Sequence, residues 1–150
     1  MTLREIILAR GRFYHMTTLE NWERIKEEGL KVECCTLRPE DLRNYLPAYR
    51  KPCVFLSTRE QRNAWQRNLS YHRFRGKQLC ILAISAERIV GKEIGPDLTH
   101  ASTLKLLSEA KRLQLNDVET MNLILTELGS IACFEDIEAD DIEMDDILAV

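Results

Sequence analysis

Apolar positions along this chain switch between the helical and the strand period, and the switches outline its elements. Leu3, Ile6, Ile7 and Ala9 recur at the spacing of one helical face. Phe13-Tyr14-His15-Met16-Thr17 breaks that period with aromatic and β-favouring residues and predicts a short strand. Thr18 then serves as N-cap for a helix carried by Leu19, Trp22 and Ile25, and Gly29 ends it before the short apolar segment Leu30-Lys31-Val32. Residues 33–52, with Pro39, Pro47 and Pro52, predict an excursion between core elements that includes a short helix from Pro39 to Tyr45. Cys53-Val54-Phe55-Leu56 reads as a second strand closed by Ser57-Thr58, with Thr58 as cap of a polar helix over 59–69 that is exposed on most of its face.

The run from Gln78 to Ser85 is the most hydrophobic strand candidate and is expected at the centre of the sheet. Gly91 and Gly95-Pro96 mark a turn region. Helical periodicity resumes over 99–115 through Leu104, Leu107, Ala110 and Leu113, and over 117–128 through Met121, Ile124, Leu125 and Leu128, with Asn116 between the two. Gly129 ends the second helix, Ile131-Ala132-Cys133-Phe134 is the last strand, and an acid-rich tail follows over 135–146. Leu82, Ile84, Leu107, Ile124, Cys133 and Phe134 are the expected core. Strands separated by helices, without regular βα alternation or a Gly-rich first turn, predict an α+β fold.

At 150 residues the chain fits one domain, 1–150. Its apolar runs are far shorter than the ~20 residues a membrane-spanning helix needs, and the N-terminus lacks the pattern of a signal peptide. Five cysteines, odd in number and without a CxxC pair, argue against a disulfide framework or a zinc ribbon and for a cytoplasmic location. Charge is unevenly spread. Residues 1–78 hold 16 Lys/Arg against 9 Asp/Glu, and residues 79–150 hold 5 against 15. Within the basic half, segment 49–77 interleaves eight basic residues with Tyr49, Trp65, Tyr71, His72 and Phe74, offering phosphate neutralisation and stacking faces together. The plainer alternative is a solvated basic helix that pairs with the acidic half.

No GxGxxG, GxxxxGK[ST], HExxH or GxSxG motif occurs. His15, His72 and His100 share no ligand spacing, so no metal site is expected. Two segments stand out, Tyr14-His15-Met16-Thr17 and Phe55-Leu56-Ser57-Thr58, because each closes an apolar strand with polar groups just before a helix. Strand ends hold such side chains on a fixed backbone at the rim of a sheet, which suits ligand binding. Structural roles compete, with His15 as a satisfied edge histidine and Ser57-Thr58 as a helix cap.

The string FYHMTTLENWERIKEEGLKV resembles the opening of compact bacterial and phage ADP-ribosyltransferase-fold proteins, through Tyr14, His15, Thr17, Leu19, Asn21, Ile25, Gly29 and Leu30. Val54-Phe55-Leu56-Ser57-Thr58 is similar to the family's second strand, and Ile131 to Phe134 with Ile137 and Ile142 to its closing segment. The resemblance implies a split central sheet with flanking helices, NAD as substrate, and an acceptor that is DNA, RNA or protein, as in toxins and phage–host effectors. It implies that His15 holds the adenosine-side ribose, that Thr17 supports the strand end and that Ser57, with Thr58, positions ribose or a carboxylate. Tyr14 or Tyr71 would stack on nicotinamide, and Arg59, Arg62 or Arg67 would contact pyrophosphate or a nucleic acid. One departure stands out: transferring members usually carry a Glu at the start of the last strand, a position that falls near Ser130 here. Glu127, slightly favoured, and Glu135 are the nearest substitutes. Two other functions compete: a non-catalytic nucleotide- or nucleic-acid-binding module on the same fold, and an interaction domain whose acidic tail docks a basic partner.

Overall fold

The computed structural model describes residues 1–34, 52–71, 74–97 and 101–148, with the side chains of Asn68, Tyr71 and Ala101 not described. The expected helix from Pro39 to Tyr45 lies outside the described residues. The described chain is α+β, with one six-stranded antiparallel sheet and six helices. In chain order these are α1 (Leu3–Leu8), β1 (Arg12–Thr18), α2 (Leu19–Glu28), β2 (Val54–Ser57), α3 (Arg62–Tyr71), β3 (Leu79–Ser85), α4 (Ala86–Ile89), β4 (Ile94–Pro96), α5 (Ala101–Arg112), α6 (Asp117–Glu127), β5 (Ser130–Cys133) and β6 (Ile142–Ile147).

Local chemistry explains the helix starts. Thr2 and Glu5 form a reciprocal capping box on α1, Asn116 and Glu119 do the same on α6, and the Thr18 hydroxyl accepts from the Asn21 amide to start α2. The capping role expected of Thr58 is not met: α3 begins at Arg62, and the Thr58 hydroxyl has no hydrogen-bond partner.

The strands run in the order β4-β5-β2-β1-β3-β6. As expected, β3 is central to its half, paired along its full length with β1 and over most of it with β6. Two strands escaped the sequence pattern. β4 occupies the expected turn at Gly95-Pro96, where an edge strand tolerates proline. β6 is formed by the acid-rich tail, which is an ordered edge rather than an appendage.

The split sheet that the resemblance implied is replaced by a single continuous one. Its two halves, β4-β5-β2 and β1-β3-β6, are joined by one register pair, Tyr14 opposite Ser57. That narrow seam follows from how little of β2 lies alongside β1: the four residues of β2 all pair with β5, and just one of them also reaches β1.

The sheet is covered unequally. One face carries the main core, in which Phe13, Val54, Leu56, Leu82, Ile84, Ile131 and Cys133 pack against Ile6, Ile7, Ile25, Ile89 and Leu125. The other carries a small cluster of Tyr14, Met16, Ile81 and Ala83 beneath Trp65 and Leu69 of α3. Of the expected core, Leu82, Ile84, Ile124 and Cys133 are buried; Leu107 and Phe134 are half-buried.

Candidate functional site at the sheet seam

Directly opposed residues of antiparallel strands share a face. The pairs Tyr14–Ser57 and Ser57–Ser130 therefore set three polar side chains in one row across β1, β2 and β5. All three are buried, as is Thr58. The Thr58 amide donates to the Gly129 carbonyl at 2.9 Å, tying the end of β2 to the start of β5. Behind the row the Ser130 hydroxyl donates to Asp97 Oδ2 at 2.7 Å, and Asp97 is 3% exposed.

Two cations lie over the Tyr14 ring at one end of this row. The guanidinium carbons of Arg59 and Arg62 stand 5.2 Å and 4.9 Å from the centroid of the Tyr14 ring, within cation–π range. Arg62 is also held by Asp145 at 2.6 Å. A bulge in β6 between the residues that face Ile81 and Leu82 is what leaves Asp145 out of register to reach α3. Arg59 is exposed and makes no ion pair among the described residues. Among the described residues the buried hydroxyls of Tyr14 and Thr58 have no hydrogen-bond partner. Unsatisfied hydroxyls are equipped to donate to a ligand rich in oxygen acceptors.

His15 sits differently. Period-two alternation places His15 and Thr17 with Phe13 on the main-core face, opposite to Tyr14 and Ser57. Its Nδ1 lies 2.8 Å from the Phe55 carbonyl oxygen, across the seam where β1 and β2 stop pairing. A carbonyl accepts only, so Nδ1 carries the proton and in the neutral ring Nε2 is an acceptor. Thr17 is buried and accepts from the Asn21 side-chain amide at 3.0 Å, bracing the end of β1 against α2.

The remaining candidates divide. Arg67 is exposed on α3. The Tyr71 side chain, His72 and His100 lie outside the described residues. Glu127 is exposed at the last turn of α6. Glu135 lies past the far end of β5, at the opposite end from Ser130, and accepts from the Glu93 amide. Neither glutamate joins the row. Asp97 stands behind it, bonded to Ser130, and sequence reasoning missed it. Its partner Ser130 is 33 positions away, so no local spacing announces the pair.

No protein-family model and no curated protein matches this chain. Among the described residues no group of His, Cys, Asp and Glu is arranged to hold a metal ion, and no helix is long and apolar enough to cross a membrane.

Proposed function

We propose that the protein is an NAD-dependent ADP-ribosyltransferase, with its sheet an ADP-ribosyltransferase-like sheet whose halves stay joined at the seam. The observation that carries this is the convergence of Tyr14, Ser57 and Ser130 in one row at the seam, with Arg59 and Arg62 over the Tyr14 ring. Each group answers a need of dinucleotide binding. Arg59 supplies a cation to the pyrophosphate, and the buried hydroxyls of Tyr14 and Thr58 donate to oxygen acceptors. Holding the ribose rigidly while the nicotinamide bond breaks is where such a site gains rate. Arg67, exposed on α3, suits a phosphate of a nucleic-acid acceptor.

Incubation with labelled NAD, alone and with cell extract, DNA or RNA, tests this. Expected is transfer of label or release of nicotinamide by the wild type, reduced in Arg59→Ala. Saturable NAD binding without turnover under any condition would instead favour a nucleotide-binding module, and no binding at all would end both.

A further inference from the structure

We infer that Asp97 is the carboxylate that serves the ribose, acting through the Ser130 hydroxyl. This rests on the transferase proposal above and names the residue pair that the chemistry needs. When NAD is cleaved, the electron pair of the C1′–N bond goes to the pyridinium nitrogen and nicotinamide leaves neutral. Positive charge remains across C1′ and the ring oxygen until water or an acceptor hydroxyl bonds to C1′ and releases its proton. A negative charge fixed beside the ribose stabilises that state more than the ground state.

The acids offered by sequence spacing are badly placed for this. Glu127 is exposed at a helix end, and Glu135 is engaged at the other end of β5. Asp97 is buried immediately after β4 and accepts from Ser130, which shares a cross-strand row with Ser57 and Tyr14. Its backbone is fixed as well. The Thr103 hydroxyl, fully buried on α5, donates to the Asp97 carbonyl oxygen.

The direction of the Ser130 hydrogen bond determines what the pair does. Having given its hydrogen to Asp97, Ser130 Oγ presents only lone pairs to the row, so it accepts from the 2′-hydroxyl of the nicotinamide ribose. The 2′-oxygen is thereby turned with its electron density toward C1′, and the charge of Asp97 is felt through one intervening hydroxyl. Asp97 is a positioning residue and Ser130 the group that touches substrate.

The test is NAD hydrolysis, with water as acceptor, together with NAD binding and thermal unfolding. Asp97→Asn keeps an acceptor for Ser130 and removes the charge; kcat should fall ~10²–10³-fold, the loss typical of one preorganised electrostatic group, while NAD affinity and unfolding temperature hold. Ser130→Ala should lose kcat to a similar degree, which keeps the test alive if Asp97→Asn fails to fold. Adding Ser130→Glu to Asp97→Asn puts a carboxylate directly into the row and should restore turnover. Unchanged kcat in both Asp97→Asn and Ser130→Ala would overturn this inference and leave the transferase proposal standing. A wild type that neither binds nor cleaves NAD would overturn the two together.

Discussion

Buried hydroxyls without partners at Tyr14 and Thr58 set the residue-scale energetics of the site. Each costs ~1–3 kcal/mol relative to a satisfied group, a cost that ligand oxygens accepting from them would relieve. Gly129 holds Thr58 in place and has little tolerance for change. Its φ of +68° favours glycine, and a Cβ there would stand 2.6 Å from Thr58 Oγ1 and 2.3 Å from Gln61 Cγ. Gly129→Ala should therefore destabilise the fold by more than ~1 kcal/mol, measurable as a lower urea midpoint, and should weaken NAD binding. The cysteines give a second residue-scale prediction. Burial pushes the Cys80 thiol up to about 11 and also raises Cys133, whereas Cys34 is exposed. A thiol whose folded value is raised contributes stability that is fully present below its unfolded value of about 9 and is lost as pH rises through about 11. At pH 8, alkylation of the native protein should label Cys34 well before Cys80 or Cys133; equal rates would contradict this burial.

At the scale of elements, the contact between β6 and α3 orders the site. Asp145, turned out by the bulge in β6, holds Arg62 over Tyr14. Both side chains are about one-fifth exposed, so Asp145→Ala should cost more than the ~0–1 kcal/mol typical of a surface pair. It should also release Arg62 and lower NAD affinity in a titration, while Arg12 and Glu143, exposed at the same edge, should matter little when neutralised. Most of these elements were legible in the sequence. Capped helices and the apolar runs of β1, β2, β3 and β5 are encoded in local pattern, so the structure keeps them within a few residues. β4 was hidden by its Gly-Pro and β6 by its acids, residues depleted in strands and tolerated here because both strands are edges. The strand ends at Tyr14-His15 and Ser57-Thr58 were legible as a place for chemistry. Which face each side chain occupies was not, since that depends on the Tyr14–Ser57 register, and Asp97 enters only through a contact across the sheet.

For the molecule as a whole, the acidic second half folds against the basic first half rather than trailing from it. Ion pairs Arg12–Glu143, Arg62–Asp145 and Lys31–Asp136 connect the two. Ile142 and Met144 add to the main core from β6. Removing residues 138–150 should accordingly abolish cooperative unfolding, seen as loss of a thermal transition by circular dichroism, instead of leaving a folded domain without a docking tail. The same strand governs how copies of the protein meet. Among the described residues β6 pairs on one side only, which leaves its other row of backbone donors and acceptors without a strand partner there. Glu143, Asp145 and Asp146 repeat along it within four residues, so two such edges brought together would stack like charge against like. The acids that disguised this strand in the sequence thus oppose edge-to-edge growth of the sheet at β6, a guard against templated assembly written into the composition of that strand.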